Sequence, residues 1–229
     1  MVVQVVGNPS YIRSVHKTSS AGRILSTALD LFAVKGYDAT SVREICEAAG
    51  ITKPTLYHFF GSKDGVFQAL VTGAFDEFRQ HVEQGLAGAG TLRDRLKLVA
   101  RLLLADARER PKLWRFIHAV VWAPPSTAPS TSCPEFYRSV VAILGRAIEV
   151  AVDAGELAPG PTDIRLLALM GTLGEAGNGY VIGGQPDLTP ELADALVDTV
   201  MNGWGADGAR AFSPSREALR RDLDETRRA

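Results

Sequence analysis

The stretch TSVREICEAAGITKPTLYHFFGSK, Thr40 to Lys63, constrains the fold more than any other part of the chain. It reads as two short helices joined by a tight turn at Gly50. Ser41 and Glu44 have capping-box spacing, so each can satisfy a free amide at the start of the first helix. Val42, Ile45 and Ala49 form that helix's buried stripe, and Arg43 and Glu47 point away. The second helix runs from about Thr52 to Phe60. Pro54 is harmless in its first turn, where the missing amide has no intrahelical acceptor. Either Thr52 or Lys53 is its cap. Leu56, Phe59 and Phe60 face a core, while Lys53, Thr55, Tyr57 and His58 carry polar tips. A helix of about nine residues is ~13 Å long, which fits the width of a DNA major groove.

Charge supports that reading weakly. Residues 1–63 hold seven Lys/Arg and four Asp/Glu, net +3, whereas residues 64–229 hold eighteen against twenty-two, net −4. A basic head on an acidic body is the footprint of a nucleic-acid-binding unit. Apolar residues make up 46% of the 229, enough for a real core, and charged residues 22%, ordinary for a soluble protein. Cys46 and Cys133 have no Cys or His partner at zinc-like spacing. They imply no disulfide framework, no metal and no cofactor, and point to a reducing cytoplasm. The apolar start MVVQVV lacks a basic n-region, and no apolar run reaches membrane length.

Helical periodicity runs through the remainder, and no segment reads as a strand. The expected fold class is all-α, with a three-helix helix-turn-helix head and a larger C-terminal helical domain. The expected division is a flexible basic arm at 1–17, the DNA-binding domain at 18–64, a larger helical domain at 65–205, and a tail at 206–229. The first helix runs from a cap at Ser19 or Ser20 to Lys35, with Gly36 at a left-handed C-cap. A fourth helix, capped by Ser62, crosses between the domains. Residues 85–91 (GLAGAGT) read as a small-residue hinge. The proline-rich segment 123–134 reads as a mobile loop between helices at Pro111–Trp122 and Glu135–Ala154. Two more helices follow, at about 162–182 and from Thr189-Pro190 to near Trp204. The first of these holds Gly171, Gly174, Gly177 and Gly179, each costing roughly 1 kcal/mol against alanine, which calls for a closely packed partner helix.

The run from Ala28 to Leu70 resembles the TetR family of bacterial transcriptional regulators. Gly36, Thr40, Ile45, Gly50, Leu56-Tyr57, Phe60 and Lys63 match the family's usual residues. Cys46 stands where alanine is more common. Beyond Leu70 the resemblance is one of architecture. It implies a homodimer formed through the helices near 162–182 and 189–204, bound to a pseudo-palindromic double-stranded DNA operator. It also implies release from DNA by a small-molecule ligand in the C-terminal domain. The expected DNA contacts are Arg43, Thr52, Lys53, Thr55, Tyr57, His58 and Lys63. Lys53 suits a phosphate or a guanine edge, Thr55 a base, and Lys63 and Arg43 the backbone.

Trp114, Trp122 and Phe136 are candidates to line an apolar ligand pocket, with His118, Glu175 and Asn178 as polar anchors. Ordinary core packing is the competing reading for the aromatics, and surface exposure for the polar residues. A second functional reading is a helix-turn-helix protein without a small-molecule ligand, acting in DNA architecture or under a protein partner. An enzyme built on His118 and a carboxylate such as Glu175 is disfavoured, because the sequence offers no nucleophile elbow and no metal-ligand cluster.

Overall fold

Cap residues set most helix starts in the computed structural model, which describes residues 19–122 and 133–203. The hydroxyl of Ser19 accepts the Gly22 amide at 3.0 Å and opens α1, Ser20–Lys35. Ser41 and Glu44 form a complete capping box at the start of α2, Val42–Ala49. Thr52 is the cap position of α3, Lys53–Phe60, although its hydroxyl meets that of Thr55 at 2.9 Å rather than a backbone amide. Ser62 opens α4, Lys63–Leu86, and Thr91 with Asp94 boxes the start of α5, Leu92–Glu109. Pro111 begins α6, Pro111–Val121. α7 spans Cys133–Asp153, α8 spans Thr162–Gly183, and Thr189 caps α9, Pro190–Asn202. Among the described residues there is no strand.

Three expectations change at this level. The loop expected at 123–134 ends earlier, because Cys133 and Pro134 already belong to α7. Proline fits a first helical turn as readily here as in α3. The glycine segment at 85–91 does not begin as a hinge. Gly85 lies inside α4 and is buried against α5, where an added Cβ would stand 2.6 Å from the Val99 amide nitrogen. Gly36 does take a positive φ of 84°, but its ψ of 166° is extended rather than left-handed helical. The arm at 1–17, residues 123–132 of the loop, Trp204 and the tail at 206–229 lie outside the described residues.

Among the described residues, buried apolar side chains form two clusters. The N-terminal one joins Ile24, Ala28 and Phe32 of α1, Ile45 of α2, Leu56 of α3, and Val66, Phe67 and Leu70 of α4. The second joins Leu96, Val99 and Leu103 of α5 with Leu144 and Ile148 of α7, Leu169 and Leu173 of α8, and Val197 of α9. Helix α6 belongs to both. Leu113, Phe116 and Val120 are buried in the N-terminal cluster, while Trp114 packs on the second. Phe116 stacks on Phe32 with ring centroids 6.1 Å apart and meets Phe67 edge-on at 5.5 Å.

Charge sets the register of α9 on α5. Arg93 and Lys97 reach Asp198 at 2.7 and 2.8 Å, and Arg101 pairs with Asp194 one turn earlier on α9. The spacings are i, i+4 on both helices, so one face of each meets the other. At the junction of α4, α5 and α6, Arg110 donates to Asp106 and to the buried Glu77, the latter at 2.5 Å. Burial opposes the Arg110 charge, but Asp106 and Glu77 more than offset it, so its pKa is raised.

Candidate nucleic-acid interface

Helix α3 is held by its apolar face and presents its polar one. Leu56 is fully buried, and Phe59 and Phe60 are half-buried behind the helix. Complete burial of a leucine side chain stabilises by about 1.5–3 kcal/mol, so that one contact anchors much of an eight-residue helix. Thr52, Lys53, Tyr57 and His58 are exposed and Thr55 is half-exposed. The His58 ring leans edge-on against Phe59, with centroids 5.3 Å apart. On α2, Arg43 is exposed and pairs with Glu47 at 3.2 Å. The turn between α2 and α3 depends on Gly50, which adopts φ 62° and ψ 43°. A side chain there would be strained in the left-handed region.

Lys63 is placed differently from the other expected DNA contacts. Its ammonium donates to the carbonyl oxygens of Tyr37 and Thr40, each at 2.9 Å, and lies 4.1 Å from the centre of the Tyr37 ring. The neighbouring Asp64 accepts the Tyr37 hydroxyl. Thr40 is buried and its hydroxyl donates to the Gly36 carbonyl at 2.8 Å. Gly36, Thr40 and Lys63 thus form one clasp between the α1–α2 connection and the start of α4. In the sequence a cation at a helix start looks available to DNA, and no local pattern reveals that two carbonyls converge on it. Across the same connection, Lys35 pairs with Glu44 at 2.6 Å. The Lys35 hydrogen bond, followed by those from Ser41, holds the Glu44 carboxyl at about 2.

Of the residues expected to line a ligand pocket, Trp114, His118 and Asn178 meet and Glu175 acts on His118, whereas Trp122 and Phe136 stand apart. Trp122 is 79% exposed, and Glu175 is also exposed. Phe136 stacks on Phe75 at 4.0 Å and meets Phe78 edge-on at 5.6 Å, which ties α7 to α4. Trp114 and Asn178 do come together, but with each other: the indole nitrogen donates to Asn178 Oδ1 at 3.0 Å. His118 stacks on Trp114 with centroids 5.3 Å apart, and burial lowers its pKa against the opposing pull of the Trp114 backbone and Glu175. A cleft of about 420 Å³ lies elsewhere, between α5, the end of α8 and the start of α9, lined by Arg101, Ala105, Arg108, Tyr180, Leu188 and Pro190 among others. Its arginines already face Asp194 and, at 3.9 Å, Asp187.

The support that α6 gives the DNA-binding head is not evident from the motif residues alone. The available signal was its apolar character on more than one side, since Leu113, Trp114, Phe116, Ile117 and Val120 exceed a single stripe. Lys112 adds an ion pair to Asp30 of α1 at 2.6 Å.

A short helix packed by one face, preceded by a glycine turn and a capped supporting helix, defines the helix-turn-helix class of DNA-binding domain. Residues 24–70 match the model of the bacterial regulatory proteins of the tetR family. Over these residues the head is similar to that family's DNA-binding domain, and the described residues share the all-helical fold of solved TetR-family regulators. The HTH-type transcriptional repressor KstR2 of Rhodococcus jostii (strain RHA1) is 38% identical over 80 residues, 33% of this chain and 39% of that protein. The chain thus spans well under half the length of this curated relative. The fatty acid degradation regulator FadR from Bacillus halodurans superposes with a TM-score of 0.68 at 18% identity, covering 82% of this chain and 97% of that one. The ketosteroid transcriptional regulator KstR2 of Mycobacterium tuberculosis gives 0.67 at 20% identity, covering 81% and 95%. Among the described residues no helix is long and apolar enough to cross a membrane.

Proposed function

We propose that this chain is a cytoplasmic transcriptional repressor whose homodimer binds a pseudo-palindromic operator. The observation that carries the reading is the exposed polar face of α3, with Lys53, Thr55, Tyr57 and His58 outward and Leu56 buried beneath. Lys53 and Arg43 engage phosphates, Thr52 and Thr55 reach base edges, and Tyr57 and His58 hydrogen-bond the backbone. Lys63 acts mainly from behind, by holding the head together. One such helix reads too few bases for useful specificity, so the functional unit contains two.

The dimer forms through α8 and α9. Ile164, Leu167 and Ile182 are exposed on one side of α8. On the same side a Cβ at Gly171 or Gly174 would meet nothing within this chain. A second copy of α8 approaching at the glycines covers that apolar stripe, with α9 beside it.

An apolar small molecule bound in the C-terminal domain releases the dimer from DNA. The support here is the company the fold keeps, with neighbours named for fatty acid degradation and for ketosteroids. A second reading, control without a small molecule, draws on the Trp114–Asn178 and Phe75–Phe136 contacts, which engage three of the expected lining residues in packing within the chain.

Selection of operators from random duplex DNA by the wild-type protein, followed by mobility shift, tests the main reading. A dimer bound to a palindrome is expected, with release by a member of a fatty-acyl and steroid panel. No preference over random DNA overturns the repressor. Specific binding without release by any panel member moves the choice to the second reading.

A further inference from the structure

The proposed dimer needs a mechanical link between its interface helix and its DNA-binding heads, and α6 supplies one in a few side chains. Its head-facing side is buried: Phe116 stacks on Phe32, and Leu113 and Val120 join the same cluster. Its other side is keyed into α8. The six-membered part of the Trp114 indole lies directly over Gly177, where an added Cβ would stand 2.4 Å from Cζ2 and 2.8 Å from Cε2. Contacts that close do not occur between real side chains, so the ring occupies space that only glycine leaves open. Asn178 then fixes the ring's rotation through the 3.0 Å bond to its nitrogen, and Arg115 donates to the Val181 carbonyl at 2.8 Å one turn further along. The notch is therefore a glycine used for close approach inside one chain. It is distinct from Gly171 and Gly174, which are open.

We propose that the Trp114–Gly177–Asn178 key sets the distance between the two recognition helices of the dimer, making these positioning residues for operator spacing. The proposal rests on the dimeric reading above. Helix α8 is shared between the copies, and α6 packs both on α8 and within the head. Helix α4 also runs from the head into the body, where it packs on α5 and α7. Moving α6 away from α8 tilts each head about α4. Two-fold symmetry doubles the displacement between heads, while the DNA offers acceptable positions only at steps of about 3.4 Å along each strand.

The test uses the full-length protein and the operator that the wild type selects. Gly177→Ala forces the ring or the helix outward. A folded dimer that binds the original operator at least about tenfold more weakly is expected, with affinity partly restored when the half-site spacing is changed by one base pair. Trp114→Phe removes both the indole nitrogen and ring volume, and should relax the preference between spacings. The double variant should bind more like wild type than Gly177→Ala does, because the smaller ring tolerates the added methyl. A merely structural role lowers melting temperature without altering the order of preference among spacings. An unchanged spacing preference in folded Gly177→Ala overturns the proposal, and if that variant does not fold, an unchanged preference in Trp114→Phe does so. Failure of the wild type to select any operator would instead defeat the dimeric repressor reading.

Discussion

The ammonium of Lys63 donates to the carbonyl oxygen of Thr40 at 2.9 Å, tying the first residue of α4 to the residue before the α2 cap. The recognition helix lies between these two points in sequence, so its placement depends on a bond made outside it.

Lys63→Met therefore acts on the head before it acts on DNA. Loss of a charged donor from two carbonyls should destabilise by about 2–3 kcal/mol. DNA affinity should fall on all sequences alike. The slope of log K against log salt should change by less than the ~0.9 that one lost phosphate contact produces. Thermal melting and anisotropy titrations at several salt concentrations make the comparison. A change of the full ~0.9 in that slope with unchanged melting would put Lys63 on the phosphate instead.

Lys53→Ala should behave in the opposite way. Its side chain is exposed and has no ion pair among the described residues, so melting should not move. Operator affinity should fall by about 1–3 kcal/mol if the lysine reads a guanine edge, with discrimination lost at one base position. Equal weakening on every sequence, with the salt slope reduced, identifies a phosphate contact. Unchanged operator binding removes Lys53 from the interface.

Glu44 links stability to acid. Its carboxyl is held at about 2 against an ordinary 4.5, first by Lys35 and then by the amide and hydroxyl of Ser41. Folding favours the ionised form, so the contribution is complete above pH 4.5 and is lost as pH falls toward about 2. Glu44→Gln should flatten that part of the stability–pH curve, lowering stability most above pH 4.5 and least near pH 2. The group is exposed, so the difference should shrink in high salt. Chemical denaturation between pH 2 and pH 6 at two ionic strengths measures it. Identical acid limbs in both proteins would show the carboxylate contributes nothing.

Gly85→Ala should destabilise although alanine is the better helix former by about 1 kcal/mol. The new Cβ would lie 2.4 Å from Val99 Cγ2 and 2.8 Å from Val99 Cα, and backbone cannot swing aside as a side-chain tip can. Separating α4 from α5 should cost about 1–3 kcal/mol in urea unfolding. A gain in stability would mean the two helices are not this close in solution.

The DNA-binding head was legible because its information is local. Ser41 with Glu44, Gly50, Pro54 and the apolar period of α1 act over one or two turns, and α1, α2 and α3 appear where those signals stand. The surroundings of the aromatic side chains were not legible. Trp114, Trp122 and Phe136 are alike as aromatic residues on paper, yet one fills a glycine notch, one is exposed, and one joins α7 to α4. Composition states that such side chains seek apolar surroundings without stating which surroundings they find.

By itself the sequence determined the helices, their caps and turns, and the polar face of α3, because hydrogen bonds between residues three or four apart depend on little else. Only the tertiary structure decided what Lys63 touches, why Gly85 and Gly177 must lack a side chain, and that α6 serves both cores. Those outcomes join Lys63 to Tyr37, Gly85 to Val99 and Trp114 to Gly177, partners up to 63 positions apart. Such contacts are selected by the packing of whole helices, which no local period encodes.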